Sequence, residues 1–150
     1  MGNDVRRQVA LRDSATAGGV EFVNDSKATN PDATIQALTA YQGAVHLILG
    51  GSLKGSDFTD LATAVAGSPV AQTYLIGAAA DAIAESLDAA GVPFKRSGTL
   101  AAAVEFAAAA AGPGDTVLLS PACASFDQFR DYEDRGDTFR RLAQEVAGAA

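Results

Sequence analysis

The sequence predicts an α/β protein with a Rossmann-like, doubly wound and mostly parallel sheet that carries helices on both faces. Short apolar runs alternate with segments of helical period, and glycine-containing turns separate them, which is typical of consecutive βα units. Two of the runs, Val45 to Leu49 and Thr116 to Leu119, are almost continuously apolar. Such strands are expected where helices cover both faces of a parallel sheet. The length of 150 residues favours a single domain over 1–150.

Six candidate strands follow one another along the chain. They are Gln8 to Leu11, Val20 to Val23, Val45 to Leu49, Thr73 to Ile76, a weak one near Pro93 to Lys95, and Thr116 to Leu119. The segment 12–19 contains Asp, Ser and Gly, which favour turns. Because a short connection joins antiparallel strands, we predict one antiparallel strand near the N-terminus.

Five helices are predicted in the remaining segments. Pro31 to Tyr41 follows Asn30, and asparagine suits the N-cap as proline suits the first helical position. Ala79 to Ala90 is followed by Gly91, a residue that commonly ends helices. The other three show an apolar stripe at i, i+3, i+4 and i+7. The stripes are Phe58, Leu61, Ala62 and Val65; Leu100, Ala103, Val104 and Ala107; and Phe139, Leu142, Ala143 and Val146.

Charge and cysteine content exclude several classes of protein. The net charge of -7, from 11 basic and 18 acidic residues, disfavours nucleic acid as the main partner. Cys123 is the single cysteine, so no intramolecular disulfide can form, and a reducing cytoplasm is the expected location. The sequence contains no run of eighteen uncharged apolar residues, so no membrane span is predicted. The polar start after Met1-Gly2 fits an excised piece of a longer protein and a short natural N-terminus equally well.

Three loops that follow predicted strands are rich in polar side chains. They are Asn24 to Asn30, reading NDSKATN; Gly50 to Asp57, reading GGSLKGSD; and Ser120 to Asp127, reading SPACASFD. In an open parallel sheet, ligands bind in the crevice beyond the carboxyl ends of the strands, near helix N-termini. We therefore expect the three loops to line one crevice.

Each of the first two loops has a functional and a structural interpretation. In NDSKATN, Lys27 could bind a phosphate or carboxylate with Thr29 beside it, or Asp25 or Asn30 could simply cap a helix while Lys27 is solvated. The second loop is not a Walker A motif, because Ser56 stands where its lysine belongs. Lys54 could still bind an anion there, or lie exposed in a flexible turn.

The remaining candidate groups favour structural roles. Cys123 is expected to be a buried small side chain rather than a nucleophile, and His46 a strand residue satisfied by a neighbour. No metal-ligand spacing is present. The acidic and arginine residues after Ser125 are typical of a solvated helical face with local ion pairs. They are Asp127, Arg130, Asp131, Glu133, Asp134, Arg135, Asp137, Arg140 and Arg141.

Three motifs in this order closely resemble one family. They are NDSKATN after a strand; LGG with Lys54 following; and SPACASFDQF followed by Arg135-Gly136 and Phe139. Together they resemble the C-terminal domain of the cytoplasmic Mur ligases, and most of all the members that add D-glutamate. The similarity runs from about Val20 to Val146.

This resemblance implies the third, Rossmann-like domain of a three-domain ligase of peptidoglycan synthesis. Members of the family use ATP and Mg²⁺ to activate a nucleotide-sugar carboxylate as an acyl phosphate, which the amine of D-glutamate attacks. The P-loop and metal ligands belong to the central domain and the nucleotide-sugar site to the first, so this chain alone should be inactive. Its implied partners are D-glutamate, ATP or ADP, and the two other domains.

The resemblance also implies roles for individual residues. Thr29, Lys54, Ser125 and the backbone of Phe126 would hold D-glutamate, and Tyr132 would line the amino-acid pocket. Asp25, Lys27 and Arg6 would contact the nucleotide, with Lys27 at its phosphates as the catalytic residue. Two other interpretations remain open: a non-catalytic small-anion-binding or regulatory module of doubly wound fold, and a Mur ligase that adds a different amino acid.

Overall fold

A computed structural model describes residues 14–149. Within that range it contains six strands and five helices. The strands are β1 (Ser14–Ala17), β2 (Val20–Asn24), β3 (Val45–Gly50), β4 (Val70–Ile76), β5 (Phe94–Gly98) and β6 (Thr116–Leu119). The helices are α1 (Pro31–Leu38), α2 (Thr59–Ala66), α3 (Ala80–Ala89), α4 (Leu100–Ala110) and α5 (Tyr132–Ala149).

The strands form one sheet in the order β1-β2-β6-β3-β4-β5. β1 is antiparallel to β2, and all other neighbours are parallel. This confirms the predicted mostly parallel sheet with an antiparallel strand near the N-terminus. β6 is inserted between β2 and β3, which places the carboxyl ends of these three strands side by side. The loops after them are the three polar loops of the sequence.

Apolar side chains alternate between the two faces of the sheet. Leu47 and Leu49 of β3 join a buried cluster with α1, α2 and α3, whereas Ile48 joins a second cluster with α4 and α5. Alternation follows from the two-residue period of a strand. The helices therefore cover both faces, as predicted. Among residues 14–149, no helix is both long and apolar enough to cross a membrane.

The antiparallel pair is formed by other residues than expected. Residues 14–17, predicted to belong to a turn, form β1, and the turn is only Gly18-Gly19. Both glycines have positive φ, 59° and 81°, which a two-residue hairpin turn requires and which glycine adopts without strain. The expected strand Gln8 to Leu11 lies outside the described residues.

Several element boundaries differ from the prediction. β4 begins at Val70 rather than Thr73, since its first residue pairs with Val45 of β3. β5 begins one residue later than predicted and runs on to Gly98. The helix predicted to reach Tyr41 ends at Leu38, where the hydroxyl of Thr39 donates to the carbonyl of Gln36, 2.7 Å away.

Candidate functional site

The loop Asn24 to Asn30 is attached at both ends. The start of the loop is hydrogen-bonded to the sheet, because the backbone N–H of Asp25 donates to the carbonyl of Leu119 in β6 over 2.7 Å. At the other end the Asn30 side chain accepts from the N–H of Ala33 over 2.9 Å and caps α1, as predicted. Capping is therefore the task of Asn30. The side chains between the two ends are left for other contacts.

Asp25 is held from the neighbouring loop. Its Oδ2 accepts a hydrogen bond of 2.9 Å from the hydroxyl of Ser120, the first residue after β6. The same hydroxyl lies 3.3 Å from Oγ1 of Thr34 on α1. The carboxylate is half-buried and oriented by this network. Thr29, four residues further on, is also half-buried.

Lys27 is exposed and borders a cleft of about 220 Å³. The cleft lies between the loop after β2 and the first two turns of α5. Its lining residues are Asn24, Ser26, Lys27, Tyr132, Glu133, Gly136, Asp137 and Arg140. Tyr132 therefore shares a cleft with Lys27, although the resemblance assigns these residues to different substrates.

Lys54 and Phe126 are brought together from different loops. Nζ of Lys54, in the loop after β3, lies 5.1 Å from the ring centroid of Phe126, in the loop after β6. This is a cation–π distance. Phe126 is 63% exposed and Lys54 is also exposed, so both groups are accessible from solvent.

Ser125, next to Phe126, carries an unusual hydroxyl. The residue is only 1% exposed, and no hydrogen-bond partner for its Oγ is found within residues 14–149. A buried polar atom without a partner costs about 1–3 kcal/mol. A ligand oxygen or an ordered water that reached this hydroxyl would remove that cost.

Ser52 and Asp127 join the loops after β3 and β6. The N–H of Ser52 donates to the carbonyl of Ala124 over 2.8 Å, and its hydroxyl accepts from the N–H of Asp127 over 3.1 Å. Asp127 also accepts through Oδ2 from the N–H of Ala78 over 3.0 Å, just before α3. These hydrogen bonds thus fix the position of the loop that carries Lys54 relative to the loop that carries Ser125.

Replacement of Gly77 by alanine is expected to break the contact made by Asp127. A Cβ at this position would lie 2.2 Å from Oδ2 of Asp127, and the φ of +72° also disfavours alanine. We expect a loss of about 1–3 kcal/mol and a melting temperature lower by about 2–10 °C. Thermal unfolding of the 150-residue chain measures it.

Gly91 provides the matched control for this substitution. Its φ is +73°, but a Cβ there would have no neighbour within 4 Å. Gly91→Ala therefore measures the cost of the backbone conformation alone. If both variants lost the same stability, the crowding of Asp127 would have no energetic effect, contrary to expectation.

The prediction that all arginines after Ser125 lie on a solvated helical face is wrong for Arg135. Local ion pairs do form, from Arg130 to Asp134, Arg140 to Asp137 and Arg141 to Glu145. Arg135, in contrast, is completely buried. It lies four residues before Phe139, so extending the predicted apolar stripe back by one turn would have identified it.

The Arg135 guanidinium donates hydrogen bonds to two of the three loops. Nε donates to Oγ of Ser26 over 2.8 Å, Nη2 to the carbonyl of Ser26 over 2.7 Å, and Nη1 to the carbonyl of Cys123 over 2.9 Å. Burial lowers the pKa of Arg135 to about 10, so it remains charged at neutral pH. Composition could not identify this role, because the other arginines of α5 lie at its surface.

The two residues expected to be structural have surroundings that agree with that expectation. Cys123 is buried, and burial raises the pKa of its thiol to about 12, which keeps it protonated. His46 is buried in β3, with Nδ1 3.0 Å from the Tyr74 hydroxyl and Nε2 3.3 Å from Oδ2 of Asp115. Within the described part of the chain, no three His, Cys, Asp or Glu side chains group closely enough to hold a metal ion. Arg6 lies outside that part.

Comparison with known proteins identifies related sequences. The family model described as "Mur ligase, glutamate ligase domain" matches residues 8–123. The UDP-N-acetylmuramoylalanine–D-glutamate ligase of Acidobacterium capsulatum is 53% identical over 136 residues, covering 91% of this chain and 29% of that protein. The enzyme of the same name from Solibacter usitatus is 53% identical over 124 residues, covering 83% and 28%. The chain thus spans less than a third of these curated relatives.

Solved structures show the same fold at low sequence identity. The murein peptide ligase Mpl from Psychrobacter arcticus has a TM-score of 0.61 at 12% identity, covering 90% of this chain and 28% of that one. The MurF ligase from Thermotoga maritima, solved in complex with ADP, has a TM-score of 0.56 at 17% identity, covering 89% and 31%.

Proposed function

The chain belongs to the Mur ligase family and matches the glutamate ligase domain of that family. We therefore propose that it is the C-terminal domain of an ATP-dependent ligase that adds D-glutamate to UDP-N-acetylmuramoyl-L-alanine. The proposal includes two further domains, a reaction in the cytoplasm and a role in peptidoglycan synthesis. The D-glutamate-adding relatives, about half identical over most of this chain, support it.

One observation carries the assignment of the amino-acid site. The ammonium of Lys54 lies over the ring of Phe126, and Phe126 follows Ser125, whose buried hydroxyl has no hydrogen-bond partner in the described part of the chain. D-Glutamate brings two carboxylates, which need charged and neutral donors together, and hydrogen bonds to ionised groups are the stronger ones. In the proposal Lys54, Ser125 and the backbone of Phe126 bind these carboxylates, with Thr29 and Tyr132 completing the pocket.

Binding through Ser125 requires a local movement. Its hydroxyl is shielded from solvent, so a carboxylate can reach it only if neighbouring groups shift. Phe126 is the exposed neighbour that contacts Lys54, and a substrate carboxylate would compete with its ring for the ammonium. We therefore include a rearrangement of residues 125–126 in the binding step.

The nucleotide side of the proposal rests on Asp25 and Lys27. The Asp25 carboxylate, oriented by Ser120, suits hydroxyl groups of a ribose, and the exposed Lys27 suits phosphate oxygens. Both side chains suit a nucleotide presented by another domain. The proposal assigns Arg6, which lies outside the described residues, to the same nucleotide. ATP supplies the phosphoryl group that activates the carboxylate. The P-loop and the Mg²⁺ ligands are assigned to the central domain.

In this mechanism the residues of the chain mainly position the reactants. Lys54 and Ser125 hold the amino acid by its carboxylates, which leaves its amine free to attack. Lys27 lies at the neighbouring loop, where its charge stabilises negative charge that develops on the phosphoryl oxygens. Holding two reactants in line converts an encounter in solution into a reaction within one complex. Closure against the other domains would also exclude water.

An amino-acid panel with the full-length enzyme tests the proposal. Purified ligase, ATP, Mg²⁺ and UDP-N-acetylmuramoyl-L-alanine are incubated with D-glutamate, L-glutamate, D-aspartate or L-lysine. We expect D-glutamate to be used at least about 100-fold better than the others, because a site built for two placed carboxylates rejects ligands that leave its polar groups unpaired. Use of another amino acid would overturn the substrate. Anion binding without ligation would favour the non-catalytic module.

A further inference from the structure

The most unusual buried group of the described chain is the guanidinium of Arg135. All three of its hydrogen bonds go to uncharged oxygens, two on Ser26 and one on Cys123. Burial of a charge is costly, and an apolar side chain of similar volume is often at least as stabilising. The Asp127 carboxylate favours the charged guanidinium but offsets only part of this cost, because burial still lowers the pKa of Arg135. Stability alone therefore does not account for an arginine here.

The geometry of these bonds indicates what the arginine does. Ser26 precedes Lys27 in the loop after β2, and Cys123 lies two residues before Ser125 in the loop after β6. The planar guanidinium donates in several fixed directions, so it holds the two loops at a set separation. A lysine ammonium could not reproduce this pattern.

Ser26 extends the connection to the start of α5. Its hydroxyl accepts from Nε of Arg135 and donates to the carbonyl of Tyr132 over 2.7 Å. The N–H of Ala122 also donates to the carbonyl of Ala28 over 3.0 Å. One assembly of hydrogen bonds thus joins the loop of Lys27, the loop of Ser125 and the helix turn of Tyr132.

We propose that Arg135 is a positioning residue that fixes the Lys27 loop against the Ser125 loop and so aligns the nucleotide side of the site with the amino-acid side. This inference rests on the proposed function. Arg135 touches neither substrate in this arrangement and acts through Ser26 and Cys123. If the connection is lost, the nucleotide side and the amino-acid side each keep their own binding residues. The two sides are then no longer held in a fixed position relative to each other.

A split between kcat and KM tests this inference. In the full-length ligase, we expect Arg135→Lys to lower kcat by about 10–100-fold, since small misplacements of reacting groups have effects of this size. The KM values for D-glutamate and ATP should stay within about threefold, because the groups that bind each substrate remain. Arg141→Lys is the matched control, on the same helix but exposed. It should leave both parameters unchanged.

Amide hydrogen exchange of the same proteins provides a readout besides activity. In Arg135→Lys the amides of Ser26, Ala28 and Ala122 should exchange at least about tenfold faster, while Leu47 in β3 should keep its wild-type rate. If the loops exchange faster in Arg135→Lys but the wild-type protein has no ligase activity, the proposed function is rejected. The connection between the two loops through Arg135 is still supported. An active wild type with unchanged kcat in Arg135→Lys would overturn the role of Arg135.

Ser26→Ala decides the question if Arg135→Lys loses its fold, which faster exchange throughout β3 would reveal. This variant removes only the hydroxyl that links Nε of Arg135 to Tyr132. We expect a smaller fall in kcat, about 3–10-fold, at unchanged KM. A rise in either KM at unchanged kcat would mean that the assembly serves one half of the site, and would overturn the proposal.

Discussion

Lys54→Ala is expected to lower kcat/KM for D-glutamate by about 10–100-fold in the full-length ligase, chiefly through a higher KM. The substitution removes the ammonium proposed to bind a substrate carboxylate, and a hydrogen bond to a charged group contributes about 1.5–3 kcal/mol. The KM for ATP should not change, because the proposed nucleotide contacts lie on other loops. Steady-state kinetics with varied D-glutamate, at saturating ATP and nucleotide sugar, measures the effect.

Lys95→Ala is the matched control for this prediction. Nζ of Lys95 lies 4.3 Å from the ring centroid of Phe106, so it is also a lysine over a phenylalanine ring. It lies on β5, at the far edge of the sheet from the crevice. Its replacement should leave kcat and both KM values unchanged. Equal behaviour of the two variants would remove Lys54 from the D-glutamate site.

Lys27→Ala is expected to lower kcat by about 100–1,000-fold while the KM for D-glutamate changes little. Removal of one group that stabilises developing charge in a transition state has effects of this size. The exposed ammonium borders the cleft between the loop after β2 and α5, where the proposal places the nucleotide phosphates. Single-turnover measurement with radiolabelled ATP separates the phosphoryl-transfer step from product release.

Two results would contradict this assignment of Lys27. Ordinary kcat with a raised KM for D-glutamate would move the residue to the amino-acid side, where its cleft neighbour Tyr132 is proposed to lie. Ordinary values of all parameters would leave Lys27 as a solvated lysine beside a helix start. The same Lys95→Ala control applies, since it removes an equal charge elsewhere.

Local sequence patterns predicted most of the fold. The near-continuous apolar runs of β3 and β6 indicated strands covered on both faces, and Leu47, Ile48 and Leu49 do point to alternate clusters. The hairpin was placed less well, because the Asp and Ser residues of segment 12–19 favour turns as strongly as Gly18-Gly19 do. Pairing with β2 decided that residues 14–17 form a strand.

The candidate site was predictable in its parts and not in its arrangement. Motif order located the loops of Lys27, Lys54 and Ser125, and the strand rule placed them at one edge of the sheet. The contact of Lys54 with Phe126 and the shared cleft of Lys27 with Tyr132 depend on side-chain directions across separate loops. Spacing along the chain does not contain that information.

Short-range periodicity and residue preference are enough to predict most of the strands and helices and the loops that carry polar groups. Packing of the whole sheet, in contrast, inserts β6 between β2 and β3 and brings Arg135, which its spacing from Phe139 already puts on the buried face of α5, against Ser26 and Cys123. Both are long-range outcomes. Arg135 contacts Ser26 across 109 positions, and such a partner is selected by packing of the whole sheet rather than by its neighbours in sequence.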